Sequence, residues 1–347
     1  MMKAARLEEI QKIRITNVAQ PKCRKGDVLV KVMACGICRT DLKAYQMGQR
    51  DLHLPRILGH EITGVVAETG KEVTCVKPGD RVQVAPGLPC GTCRFCQMGM
   101  DHLCNDIKIM GFHYDGGFAE YVLVPENGVK NGVLNKIPET LTFYEAALTE
   151  PLACCVNMQE SAGIGLGDQV VIFGAGPLGV LNAKLARKRG AGRIILVEKR
   201  EERIEAVKND FDEWINSTGE NAISRILTLT EGRGADAAIP CCPDPQTMAD
   251  SLVVLGKRGR FCFFSGMVPS ESVPVIDLNL IHYKELSVYG AYGCSSLHNR
   301  EALDLLAAGM IKVNDMTTCA LPLSDLVQAI EKVAKREDTN TIIDLTL

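Results

Sequence analysis

The apolar run Gln169-Val170-Val171-Ile172-Phe173 leads straight into Gly174-Ala175-Gly176-Pro177-Leu178-Gly179. No other feature constrains the fold of this chain so strongly. A short continuous apolar run bounded by glycine reads as a strand buried on both faces. After it, Val180, Leu181, Leu185 and Ala186 recur at helical spacing, Gly190 ends the helix, and Arg193-Ile194-Ile195-Leu196-Val197 is a second buried run. Gly-x-Gly-x-x-Gly is a weak signal alone, but between a strand and a helix its glycines have separate duties. Gly174 permits the tight turn, Gly176 lets a pyrophosphate reach the backbone, and Gly179 lets helix and strand pack closely. The helix start, with Pro177 and Leu178, offers free amides and a positive dipole end to phosphate. Glu198 closes the second strand, where a carboxylate accepts from a ribose 2′-hydroxyl and repels a 2′-phosphate. NAD is therefore expected over NADP, with Lys199 and Arg200 as the opposing charges. Further strand candidates at 235–239 and 260–264 alternate with helices, which predicts an α/β Rossmann doubly wound parallel sheet. Two amphipathic helices are expected near 299–309 and 323–335, and a last strand around Ile342-Ile343.

The first 150 or so residues have a different texture. Short apolar runs such as Val28-Leu29-Val30-Lys31-Val32 alternate with breakers such as Lys77-Pro78-Gly79-Asp80, a pattern of β-rich structure. Within it, Cys90, Cys93, Cys96 and Cys104 crowd one loop. Four thiolates at such spacing suit a tetrahedral zinc with no open position, a structural ion; an iron–sulfur cluster or plain buried thiols are the alternatives. The chain holds 15 cysteines, an odd count, and its N-terminus is charged and lacks an apolar signal core. Metal ligands and reduced thiols in a cytoplasmic protein are the expectation. A net charge of −3 argues against nucleic acid as a partner, and the absence of an apolar run of about 18 residues argues against a membrane span.

A second constellation precedes the cysteine loop. Cys35-Gly36-Ile37-Cys38-Arg39-Thr40-Asp41 is followed by Gly59-His60-Glu61-Ile62-Thr63-Gly64. Thiolate, imidazole and carboxylate form a mixed ligand set suited to a catalytic zinc with one place left for water or substrate. The alternative is a core histidine beside a surface carboxylate.

These residues resemble the zinc-dependent medium-chain dehydrogenase/reductase family, whose zinc signature Gly59, His60, Glu61, Gly64, Gly70 and Val73 fill completely. The resemblance covers essentially the whole chain. It implies a GroES-like zinc-binding catalytic domain over 1–150, a Rossmann NAD-binding domain over 151–290, a return to the catalytic domain over 291–347, and ligands in the cleft between the domains. It places the catalytic zinc on Cys38, His60, Glu61 and Glu150, with the two glutamates either both bound or exchanging with water, and makes Cys35 a packing residue. Simple alcohol dehydrogenases of the family carry cysteine where Glu150 stands; polyol (sorbitol-like) and threonine dehydrogenases carry glutamate. The resemblance further implies that Thr40 takes the substrate proton and that Asp41 orients His60, the other reading of Asp41 being a helix cap. It places Arg203 near the adenosine and Arg39 near the pyrophosphate. It sets Phe264-Ser265-Gly266 and Tyr289-Gly290-Ala291-Tyr292 beside the nicotinamide. Tyr45, Phe112 and His113 are candidate pocket residues. Two departures stand out: Lys43 replaces the histidine many members use as a proton exit, and Cys241-Cys242-Pro243 replaces a Thr-Gly type of turn. The implied activity is NAD-linked oxidation of a secondary alcohol to a ketone, as in a polyol or sugar-alcohol 2-dehydrogenase, phosphorylated sugar alcohols included. The alternative is an L-threonine 3-dehydrogenase-like amino-alcohol dehydrogenase. Two zinc ions per chain, a small-molecule alcohol as partner, and a homodimer or homotetramer complete the expectation.

Overall fold

The computed structural model describes residues 1–267, 275–317, 319–336 and 340–347. Two compact units divide the chain, one made of Met1–Ala153 and Cys294–Leu347, the other of Cys154–Gly293.

The second unit is built on a six-stranded sheet in the order Glu213–Asn216, Arg193–Glu198, Gln169–Phe173, Ala235–Pro240, Leu255–Phe263, Ser287–Gly290. Every neighbouring pair is parallel. This is the doubly wound sheet expected from the sequence. Val170, Val171 and Ile172 are fully buried, so the central strand reads as apolar throughout. The next two strands in sequence lie on one side of Gln169–Phe173 and the later three on the other. Its carboxyl end is thus the point where strand order reverses, the place where such sheets bind ligands. The helix Pro177–Lys188 starts there with proline in its first turn, where no backbone N–H is needed.

The first unit holds a seven-stranded sheet in the order Leu134–Lys136, Arg81–Val84, Glu61–Thr69, Val28–Gly36, Thr341–Asp344, Cys319–Pro322, with Tyr121–Val124 also paired to Val28–Gly36. A three-stranded sheet orders Lys12–Val18, Met2–Glu9 and Arg56–Ile57. The core between them contains Val30, Val32, Ile62, Val82, Val84 and Phe118, all buried. Two registers position the site. Gly36 stands opposite Glu61 in the antiparallel pair Val28–Gly36 and Glu61–Thr69. On its other edge Gly36 faces Ile342, which brings the end of the chain back to this sheet.

The helix expected near 299–309 is Ser296–Ala307. It begins earlier because the Ser295 hydroxyl accepts the His298 amide and caps it. The helix expected over 323–335 is Leu326–Lys335, preceded by a tight turn Leu323–Asp325. No helix among the described residues is long and apolar enough to cross a membrane.

Candidate active site

Strand Val28–Gly36 ends where strand Glu61–Thr69 begins, so Cys38, two residues past one, meets His60, one residue before the other. The ligand atoms of Cys38, His60 and Glu61 all lie within 4.8 Å of one another. His60 and Glu61 are buried. Glycine is required at two places beside them. A Cβ on Gly36 would lie 1.9 Å from Glu61 Oε2, so only glycine leaves room for that carboxylate. Gly59 turns the chain into His60 with φ +94°, and a Cβ there would meet Cys35 Sγ at 2.9 Å.

Asp41 is wholly buried beneath this group. Its Oδ2 accepts the Cys38 amide at 3.0 Å and its Oδ1 the Gly59 amide at 3.1 Å. The same Oδ1 stands 3.3 Å from His60 Nδ1, which has no other polar partner among the described residues. One carboxylate therefore closes the start of helix Arg39–Met47 and also faces the imidazole. The two readings of Asp41 left open by the sequence coexist in one group. With Nδ1 held by Asp41, Nε2 is left for a metal.

The electrostatics describe a site in want of a cation. Burial, then the nearby Glu150 carboxylate, push Glu61 up to about 8. Burial pulls the His60 imidazole down, but Asp41 and Cys38 outweigh it and lift His60 well above its ordinary value. Cys35, 0% exposed, has its thiol raised by burial and by the Asp41 and Glu61 carboxylates, as befits an inert packing residue. Crowded carboxylates are stabilised together by a bound cation, and the sulfur, nitrogen and oxygen donors here suit zinc.

Glu150 lies near the start of helix Thr149–Ala162 and is buried. It is not within the close set of Cys38, His60 and Glu61; its Oε1 is 3.9 Å from Cys294 Sγ, while its charge still acts on Glu61. The Thr40 hydroxyl is 3.5 Å from Cys38 Sγ. The Phe112 ring lies 5.6 Å from that of His60, while His113 turns toward His53, with ring centres 6.4 Å apart. Tyr45 packs against the core. Sequence reasoning does not reach Cys294: it lies 144 residues from Glu150 in no motif, and only the fold brings the two together.

The four cysteines form a lobe between the paired strands Gly87–Leu88 and Lys108–Ile109. Their sulfurs all lie within 4.8 Å of one another, with Cys93 to Cys96 at 3.5 Å and Cys90 to Cys96 at 3.9 Å. Four sulfurs at the usual ~2.3 Å from zinc stand about 3.8 Å apart, so the spacing fits the ion. The amide of Cys93 donates to Cys90 Sγ, and those of Cys90 and Asp106 donate to Cys104 Sγ, at 3.3 to 3.4 Å. The Thr92 amide and hydroxyl, with the Cys93 amide, pull the Cys90 thiol down to about 6, while burial pushes Cys96 up to about 12. A dication would hold all four as thiolates.

In the second unit Gly174 has φ +105°, and a Cβ on Gly179 would meet Gly174 O at 2.0 Å. Above Gly176 the space is open except for the Arg203 guanidinium, 3.8 Å from where a Cβ would stand. Glu198 closes its strand with Oε2 accepting the Ala175 amide at 2.9 Å and Oε1 the Lys199 amide at 2.7 Å. Arg203 Nη1 is 3.8 Å from Glu198 Oε2. An open glycine at a helix start with a cation over it fits a pyrophosphate, and the adjoining carboxylate fits a ribose. Cys241 and Cys242 lie against Gly174, so the unusual turn is part of this edge. Nothing in the structure explains why cysteines stand there. Ser265 donates to Pro240 O at 3.3 Å, and the Ala291 amide to Phe263 O at 3.2 Å, placing both segments at the same sheet ends.

Comparison with known proteins agrees with this arrangement. The alcohol dehydrogenase GroES-like domain family matches residues 24–135, and the zinc-binding dehydrogenase family matches residues 177–308. Sorbitol dehydrogenase of Bacillus subtilis is 30% identical over 95% of this chain and 93% of its own length. L-threonine 3-dehydrogenase of Bacillus velezensis is 33% identical over 93% of this chain and 92% of its own. A Sinorhizobium meliloti protein described as a zinc-binding dehydrogenase, solved bound to NADP, superposes with a TM-score of 0.92 at 33% identity, covering 99% of both chains. The chain belongs to the zinc-dependent medium-chain dehydrogenase/reductase family and is an NAD(P)-linked alcohol dehydrogenase.

Proposed function

We propose that this enzyme oxidises a secondary hydroxyl of a polyol or sugar alcohol to the ketone with NAD as acceptor. The observation that carries the reading is the buried Glu61 carboxylate at the thiol and imidazole, with a second buried carboxylate, Glu150, near enough for its charge to act on Glu61. A carboxylate-rich site of this kind, with Glu150 where simple alcohol dehydrogenases carry cysteine, is the pattern of the polyol branch. Cys38, His60, Glu61 and Glu150 would hold the catalytic zinc, and Cys90, Cys93, Cys96 and Cys104 a second, structural one. When bound there, zinc would supply Lewis acidity and the nicotinamide a hydride acceptor. Asp41 fixes the imidazole ring, and Thr40, beside Cys38, takes the substrate's hydroxyl proton. Phe112 gives the site an apolar wall next to His60. Gly174, Gly176, Pro177, Leu178 and Gly179 receive the pyrophosphate, with Arg203 adding charge, and Glu198 accepts from the ribose. On this reading 1–150 and 291–347 carry catalysis and 151–290 nucleotide binding, in a cytoplasmic homodimer or homotetramer.

The test is a substrate panel of short polyols, their phosphates, threonine and simple alcohols, followed by NADH absorbance. Turnover of a vicinal diol supports the reading. The threonine dehydrogenase relative, which also fits a glutamate at 150, motivates the second reading; oxidation of threonine with none of any polyol selects it. Faster turnover with NADP than with NAD would overturn the assignment of the acceptor.

A further inference from the structure

Strands Arg81–Val84 and Leu134–Lys136 and helix Ser296–Ala307 bring three amide side chains into the interior of the first unit. Asn135 Nδ2 donates to Gln83 Oε1 at 2.9 Å, and Gln83 Nε2 donates to Asn299 Oδ1 at 3.2 Å. Asn299 Nδ2 donates to Cys294 Sγ at 3.2 Å and to the Ser295 carbonyl at 2.9 Å. The Cys294 thiol donates toward Glu150, with Oε1 and the main-chain oxygen each at 3.9 Å. Asn299 is 0% exposed and Gln83 1%.

The direction of this chain is enforced. The Ser295 carbonyl can only accept, so it fixes Nδ2 of Asn299 on that side and Oδ1 on the other. Oδ1 in turn demands the Gln83 NH2 group, which leaves Gln83 Oε1 for the Asn135 NH2 group. Cys294 already accepts at sulfur, so its proton is free to point at the carboxylate. From Asn135 through Gln83 and Asn299 to Cys294, each side chain donates to the next in the direction of Glu150, and the Ser295 carbonyl takes a further N–H of Asn299. The helix that carries Asn299 is pinned at its first residue, where Asp101 Oδ1 accepts the Ser296 amide at 3.0 Å. Buried amides of this kind contribute little net stability, because apolar groups of the same shape would serve nearly as well. Their arrangement carries a donor to Glu150 instead, at its carboxylate and its main-chain oxygen.

We propose that Cys294 and Asn299 are positioning residues that set where the Glu150 carboxylate stands beside the metal site. This rests on the reading of Glu150 as a residue of that site. Partners of this kind commonly change metal affinity 10- to 100-fold.

The test uses full-length enzyme with cobalt exchanged into the catalytic site and the four-cysteine zinc retained. Visible ligand-field bands report coordination, and release to a chelator reports affinity. Glu150→Ala must alter the bands, which checks the underlying reading by itself. Cys294→Ala and Asn299→Leu are then expected to shift the bands in the same direction and to speed metal release about tenfold. Cys294→Ser, which keeps a donor, should restore most of the wild-type spectrum. Asn299→Ala, which removes the donor to Cys294 without adding a charge, should behave as Cys294→Ala, and it stands in if Asn299→Leu fails to fold. If Glu150→Ala alters the bands while Cys294→Ala and Asn299→Ala keep wild-type bands and release, the positioning role is overturned and the metal-site reading survives. If Glu150→Ala leaves the bands unchanged, both fall.

Discussion

Replacing Asp41 by asparagine removes one charge and nothing in volume, which makes its consequences calculable. In the native site Oδ1 serves the Gly59 amide and faces His60 Nδ1, while Oδ2 serves the Cys38 amide. An asparagine can keep its oxygen toward only one side. If the oxygen stays at Gly59 and His60, the NH2 group is set against the Cys38 N–H, donor against donor. One charge-assisted hydrogen bond is then lost, a cost of about 1.5–3 kcal/mol in stability. The imidazole also loses its charged partner, and zinc affinity should fall 10- to 100-fold. Unfolding in urea measures the first quantity, and competition for zinc with a calibrated chelator measures the second. The two must both move, because one carboxylate serves the helix start and the histidine together. An Asp41→Asn enzyme that loses stability but keeps wild-type zinc affinity would refute the orienting role and leave Asp41 as a helix cap only.

Three further perturbations follow from the same geometry. Gly36→Ala sets a methyl 1.9 Å from Glu61 Oε2, so Glu61 must leave its place; kcat should fall at least about tenfold with the Glu61→Ala variant no worse, as read by steady-state kinetics. Glu198→Ala removes the carboxylate that accepts the Ala175 amide and adjoins Arg203, and is expected to raise KM for NAD about tenfold or more while improving use of NADP; unchanged constants for both would contradict its assignment. Tyr144 and Asp344 are hydrogen-bonded, with burial and Asp344 pushing the tyrosine up to about 12; for Asp344, the hydroxyls of Thr346 and Tyr144 outweigh burial and hold the carboxyl below its usual value. The aspartate's contribution to stability is present above its unfolded pKa and lost as pH falls through the lower folded one, whereas the tyrosine's is present below about 10 and lost as pH rises toward about 12. Tyr144→Phe should make both the alkaline limb and the acid limb of a stability–pH profile shallower, the alkaline one by the tyrosine's share.

Much of this was legible in the residues themselves. The strand before Gly174 announced itself by an apolar run, and the three glycines by their place between strand and helix. The four cysteines and the pair of Cys38 and His60 were legible because metal binding demands close sequence spacing or a recognisable signature. What escaped depends on pairing between distant segments. Gly36 matters because register sets it against Glu61, a relation no local pattern encodes. Asp41 reads locally as a cap or as a partner of histidine; that it is both follows only from the approach of the Gly59 amide. The helix at Ser296 began earlier than periodicity suggested because Ser295 caps it, and a cap is one residue without a period. Cys294 and Asn299 were silent for the same reason as Gly36, since their meaning lies in the partners the fold supplies.

The central claim, a zinc-dependent oxidation of a polyol, is tested most directly by measuring metal content against turnover on one preparation. The account predicts two zinc ions per chain and oxidation of a vicinal diol with NAD. Removal of the more labile ion should abolish that oxidation, and its return should restore it, while the four-cysteine ion stays in place. Enzyme with both sites full of zinc that binds NAD and oxidises no vicinal diol would contradict it.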